Sequence, residues 1–232
     1  MLSTVQIPTI RTGKPPLEYK VASAEDLSFI ENNSVDMVTA GQAAHWFKQN
    51  KAFPEIARVL KPGGTLAFFC KIFFYVSTEE GYGDLSIVGR PELTPLLTSY
   101  IYGGPGTMGQ YWEEPGRSIV VSLYRDIIPP DSLYKDVTRH FFPRRSASGE
   151  LEEIAKLSNK ITINVMRPYT RTWSSYHEWC RDFPDRKSRE SGGTGDIVDD
   201  MFDALKGVTG WDDDTEFEVE WSSGILLARK RD

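Results

Sequence analysis

Residues 35–72 read VDMVTAGQAAHWFKQNKAFPEIARVLKPGGTLAFFCKI, and the periods within this stretch decide the fold class. Its first six residues are a short, mostly apolar run that stops at Gly41. That is the pattern of a buried parallel strand ending in a tight turn. Phe53, Ile56, Ala57 and Leu60 then recur at helical spacing, and the Lys-Pro-Gly-Gly that follows is a helix stop. TLAFFCKIFFY, residues 65–75, reads as a second buried strand. Strand, helix and strand joined by short connections make a βαβ unit, whose crossover is right-handed in nearly all known cases. Upstream, LEYKVASAEDL (17–27) alternates loosely and closes in a polar, acidic turn, as a strand running into a loop does.

Downstream the rhythm changes. From 76 to 206 glycine and proline interrupt often, as in GGPGTMGQYWEEPG, and aromatic residues are dense. ELEEIAKLSNKI (150–161) and IVDDMFDALKGV (197–208) are helix-like, and DRKSRESGGTGD (185–196) is the best candidate for a mobile loop. In TEFEVEWSSGILLARKRD (215–232), Phe217, Val219 and Trp221 alternate with acids before Ser-Ser-Gly and a second apolar run. This predicts an antiparallel hairpin that completes the sheet begun at 35–72. The expected organisation is therefore a core at 1–75, a lid insertion at 76–206, and a C-terminal hairpin at 207–232.

With 232 residues, 40% hydrophobic and 26% charged, the chain has the composition of a soluble globular protein. No apolar run approaches the ~18 residues of a membrane span, and nothing near Met1 reads as a signal or transit peptide. A net charge of -6 without a basic stripe argues against nucleic acid. Cys70 and Cys180 match neither a metal spacing nor a disulfide scaffold, which makes the cytoplasm the default location. Cys70 reads as a buried thiol. His45, His140 and His177 have no ligand spacing among themselves, so no metal is expected.

ASAEDLSF (22–29), VDMVTAGQAAHWF (35–47) and RVLKPGGTLAFF (58–69), followed by a terminal hairpin, resemble the later half of a class I S-adenosylmethionine (SAM)-dependent methyltransferase. GQYWEEPGRS (109–118) and YTRTWSSYHEW (169–179) resemble, more particularly, the fungal trans-aconitate methyltransferase-like group. The resemblance implies an α/β, Rossmann-like sheet with SAM as cofactor. It also implies that the chain starts after the Gly-rich turn and the ribose-binding acid that usually anchor SAM, with MLSTVQ resembling the helix beyond them. An N-terminally truncated sheet would leave an open strand edge. Either the preceding strand closes up against that edge, or a homodimer or a partner chain covers it, or the sequence is incomplete.

The resemblance places Ala24, Glu25 and Asp26 at the adenine ring, although a solvated acidic turn explains them as well. Ala40, Gly41 and Gln42 end the central strand, at the edge where open α/β sheets bind ligands. His45 and Trp46 lie just beyond. A histidine there is a possible base, with packing the commoner role. Arg117 suits bidentate binding of a carboxylate, and the resembling enzymes act on a polycarboxylic acid; a salt bridge to Glu113 or Glu114 is the alternative. Tyr111, Trp112, Tyr169, Trp173, Tyr176 and His177 form a candidate aromatic wall, while Trp173, Tyr176 and His177 also suit core packing of one helix. Arg171 either helps Arg117 hold an anion or caps an end.

Three functions compete on this reading. The first is SAM-dependent methyl transfer to a carboxylate or hydroxyl of a small metabolite, in secondary metabolism. The second is a cyclase- or dehydratase-like enzyme built on a methyltransferase scaffold. The third is a non-catalytic fragment that pairs with another chain. One fold hosts many functions, so ancestry alone does not choose among them.

Overall fold

The computed structural model describes residues 18–72, 86–142 and 157–232. The βαβ unit is present. Strand β1 (Val35–Gly41) leads through a short 3-10 turn (Ala44–Trp46) to helix α1 (Gln49–Val59) and strand β2 (Leu60–Ile72), and β1 and β2 pair in parallel. The register slips between Val35 and Met37, which absorbs the Lys-Pro-Gly-Gly segment, where Gly63 has a φ of 72°. Phe53, Ile56 and Ala57 are the buried face of α1, each large apolar side chain stabilising by roughly 1.5–3 kcal/mol. They meet Leu66 and Phe68 of β2 in one cluster, and Tyr134 joins it by donating its hydroxyl to the Phe53 carbonyl at 2.8 Å.

The remaining strands are β3 (Ser86–Ile87), β4 (Tyr134–Phe142), β5 (Leu157–Thr162) and β6 (Glu216–Lys230). β6 is the axis of the molecule. Its second half lies antiparallel to β2, from Arg229 opposite Thr65 to Ser222 opposite Ile72, and carries β4 on its other side. Its first half pairs antiparallel with β5 and β3. Helices α2 (Thr94–Ile101), α4 (Ile163–Thr170), α5 (Ser174–Asp182) and α6 (Ile197–Thr209) pack a second apolar cluster around this first half, whereas α3 (Gly116–Val121) runs beside the first cluster. α6 opens with a capping box in which Asp196 and Asp199 each accept the other's backbone N–H, the arrangement that satisfies donors at a helix start.

Several expectations are corrected. Ser222, Ser223 and Gly224 are no hairpin turn: they lie inside β6, paired with β2 and β4. Small residues suit the crossing from one cluster to the other, since a Cβ on Gly224 would come within 2.6 Å of the Leu123 carbonyl oxygen. β4 falls within the stretch read as lid, 76–206, yet it pairs in the same sheet as β1 and β2. Residues 157–161, read as part of a helix, are strand, and 150–156 lie outside the described residues, as do 1–17 and the tail of TLAFFCKIFFY.

No strand forms at 18–22; only a bridge between Ser23 and Asp26 is made, and Val21 is 94% exposed. A strand needs a ladder partner, and none runs beside this segment among the described residues. For the same reason β1 is not buried along its length: Ala40 is covered but Met37 is exposed. Among the described residues no strand pairs with the outer edge of β1, the edge for which a homodimer or a partner chain is one candidate cover.

The stretch read as mobile, 185–196, is pinned instead. Arg186 pairs with Asp200 at 2.7 Å and Arg189 with Asp203 at 2.6 Å, while Ser188 caps a 3-10 turn at Arg189–Ser191.

Candidate functional site

A cavity of about 390 Å³ opens where the carboxyl ends of β1 and β2 meet the helices of the second cluster. From the sheet side come Gln42, His45, Trp46 and Lys71; from α3 come Gly116, Arg117, Val120 and Val121. Tyr102, Trp112, Glu113, Tyr169, Thr172, Trp173 and Ser174 form the opposite wall. Its size is in the range of small-molecule sites.

Gln42 follows β1 in the left-handed region, φ 52°. Its N–H donates to the Phe69 carbonyl at 2.8 Å, and its side-chain oxygen accepts the Lys71 N–H at 2.7 Å. The two strand ends are thereby fastened together. The Lys71 ammonium lies over the Tyr169 and Trp221 rings, 5.5 and 5.0 Å from their centroids, and burial lowers its pKa.

His45 is 9% exposed, and desolvation pulls its pKa down to about 4. Its Nδ1 lies 3.1 Å from the Tyr124 hydroxyl. Tyr124 is buried and its pKa is raised by that burial, so it stays protonated and either donates to Nδ1 or accepts from it, according to the imidazole tautomer. Trp46 stacks at a tilt beside His45, centroids 4.7 Å apart, and presses on Gly116, where a Cβ would lie 2.7 Å from the indole. Arg117 lies over the Tyr102 ring at 4.6 Å. Among the described residues its guanidinium pairs with no carboxylate, because Glu114 accepts from Ser118 instead.

Of the residues singled out from sequence, Gln42, His45, Trp46, Trp112, Arg117, Tyr169 and Trp173 line this one cavity. Others lie elsewhere. Arg171 is clamped by Asp196 and Asp199, both at 2.8 Å, and Tyr176 donates to Asp196 at 2.7 Å. Tyr111 donates to Asp182 at 2.8 Å, and His177 packs on Tyr176. Arg171 therefore holds α4 to the start of α6 and does not serve as a second anion ligand beside Arg117.

Ala24, Glu25 and Asp26 form a turn held to α1. Glu25 accepts the Lys48 N–H at 2.7 Å and the Ser23 hydroxyl, bonds that lower its pKa, and Glu55 accepts the Leu27 N–H at 2.8 Å. Arg58 completes the clasp by donating to the Leu27 and Ile30 carbonyls at 2.9 Å. Ala40 is buried in the sheet core, and Gly41 lies where a Cβ would strike the Phe69 ring.

Lys71, Tyr102, Glu113, Gly116 and Thr172 were not expected at the site. Lys71 was hidden within an apolar strand pattern, and its position as the first charged residue at the carboxyl end of β2 is the signal that marks it. Among the described residues no cluster of His, Cys, Asp or Glu could hold a metal ion. No helix described is long and apolar enough to cross a membrane. Cys70 is buried, and burial pushes its thiol up to about 12.

Residues 2–68 match the methyltransferase domain family model. The chain is 29% identical over 233 residues to a protein of Saccharomyces cerevisiae described as a probable S-adenosylmethionine-dependent methyltransferase, spanning 95% of this chain and 73% of that one. It is 44% identical over 111 residues to a methyltransferase of Aspergillus aculeatus, covering 48% of this chain and 32% of that protein. A solved structure of a candidate type II methyltransferase from Anaeromyxobacter dehalogenans superposes with a TM-score of 0.61 at 24% identity, over 93% of this chain and 73% of that one. The fold is that seen in the Rossmann-like methyltransferases, and the matched sequence is similar to that of methyltransferases.

Proposed function

We propose that this chain binds SAM and transfers its methyl group to a carboxylate oxygen of a small metabolite. The observation that carries this reading is the cavity itself. It brings the end of β1 together with two cations, Lys71 and Arg117, and with an aromatic wall at Trp112, Tyr169 and Trp173.

On this reading the turn before β1 would hold the adenine end of SAM, and the far end of β1 its methyl end. The turn at Ala24, Glu25 and Asp26 is closed by the Ser23–Asp26 bridge and fixed to α1, which gives a rigid ledge before β1. At the other end of β1, Gln42 turns out of the sheet at the cavity's edge. When bound, SAM supplies an electrophilic methyl group on a positively charged sulfur. The protein's part is to align the acceptor oxygen with it and to exclude water.

The state of His45 favours a carboxylate over a hydroxyl acceptor. A hydroxyl loses a proton as it is methylated and profits from a base of near-neutral pKa. His45, with its pKa at about 4 and its Nδ1 engaged by Tyr124, is a poor base. A carboxylate is already ionised and needs none. Arg117 and Lys71 supply charge and donors to hold it.

The test is incubation of the full chain with methyl-labelled SAM and a panel of small carboxylic acids, scored by mass spectrometry for methyl esters and S-adenosylhomocysteine. Ester formation that is lost in Arg117→Met supports the reading. A folded protein that neither binds SAM by calorimetry nor turns over refutes it.

A further inference from the structure

The cavity lining goes further than a general preference for anions. Among the described residues Lys71 and Arg117 are partly buried cations, His45 is neutral at neutral pH because burial keeps it unprotonated, and Glu113 is exposed, where water screens its carboxylate. The inner face of the cavity therefore favours an anion over a neutral ligand of the same shape.

Lys71 is placed to choose the ligand's shape as well as its charge. Its ammonium sits between Tyr169 and Trp221, and its backbone is tied to Gln42 at the end of β1. Tyr169 meets Trp173 edge to face at 6.1 Å, and Trp173 meets Trp112 at 6.0 Å, so aromatic faces run on from the cation along one wall. A flat conjugated ring gains from such faces through stacking and edge contacts.

We propose that Lys71 selects an aromatic carboxylate as the acceptor, its ammonium binding the carboxylate while the ring lies along Tyr169, Trp173 and Trp112. The inference rests on reading the cavity as the acceptor site.

The experiment measures binding of three probes to the full chain by calorimetry: 2-naphthoate, its neutral amide and cyclohexanecarboxylate. 2-Naphthoate is expected to bind about tenfold or more tightly than each of the others, the ratio that corresponds to ~1.4 kcal/mol. Lys71→Met should erase the preference for naphthoate over its amide, and Lys71→Arg should keep most of it, with circular dichroism confirming that both variants fold. The probe comparison on the unaltered chain stands even if neither variant folds.

Equal or tighter binding of the amide or the alicyclic acid overturns the proposal. So does an unchanged preference in Lys71→Met, or no binding of any probe. Selective naphthoate binding without methyl transfer would refute the reaction while leaving this assignment standing. Methyl transfer confined to non-aromatic acids would do the reverse.

Discussion

The side-chain oxygen of Gln42 accepts the backbone N–H of Lys71 at 2.7 Å, joining the last turn of β1 to the end of β2 at the rim of the cavity. Gln42 thereby influences Lys71 without touching its ammonium. Replacing it by glycine keeps the left-handed backbone at φ 52° free of strain and removes only the side-chain bond. Gln42→Gly is expected to speed hydrogen exchange at the Lys71 amide by about fivefold, in line with a bond worth about 1 kcal/mol. Mass-spectrometric exchange across 69–72 checks it, and unchanged protection there would show that the strand end holds without the clamp.

His45 makes stability depend on pH in a defined window. Its folded pKa is about 4, against about 6.5 in an unfolded chain. Between those values the unfolded state binds more protons, so the contribution is complete above pH ~6.5, declines as pH falls, and levels off below ~4. The expected loss is on the order of 2–3 kcal/mol for a group only 9% exposed. Urea unfolding of the parent and of His45→Gln at pH 7 and pH 5 should show a smaller drop in the variant. Parallel drops would place the acid sensitivity elsewhere.

How legible each part was depends on how local its cause is. The periods of 35–72 reveal β1, α1 and β2 because one apolar face per element is enough to write the pattern. Ser222, Ser223 and Gly224 mislead because small residues serve turns and tight strand crossings equally. Arg171 reads like a free cation since its partners Asp196 and Asp199 lie 25 and 28 residues away. Arg117 sits beside two acids in sequence, yet the fold gives Glu114 to Ser118 and leaves the guanidinium over Tyr102. Sequence distance is a poor guide to which charges meet.

The Arg171 clamp is expected to be a pillar of stability. Its side chain is 12% exposed, and those of Asp196 and Asp199 are 0% and 4% exposed. Burial alone would raise the pKa of Asp196, but Arg171 and the Tyr176 hydroxyl outweigh it and hold the carboxyl below its usual value. Arg171→Met would leave Asp196 buried without a cation and Asp199 with only Arg167 at 3.7 Å, at a cost of about 3–5 kcal/mol. Asp196→Asn should cost less, because the amide oxygen still accepts. Denaturant midpoints for both test the ordering, and a reversed order would mean that the helix cap, and not the ion pair, dominates.

Two glycines should respond to alanine with opposite signs. Gly224 lies between Cys70 of β2 and Phe141 of β4, where a new Cβ would come within 2.6 Å of the Leu123 carbonyl oxygen and 2.9 Å of the Leu123 Cβ. Leu123 is itself buried with a φ of 52°, so the contact is backbone against backbone with little room to yield. Gly224→Ala is expected to destabilise by about 1–3 kcal/mol. Gly207, inside α6, has nothing within 4 Å of its missing Cβ, and there alanine should stabilise by about 0.5–1 kcal/mol through helix propensity and a less mobile unfolded chain. Thermal unfolding of the two variants decides it. A Gly224→Ala protein as stable as its parent would mean that β6 can part from Leu123, and the single strand linking the two apolar clusters would then be looser than its register implies.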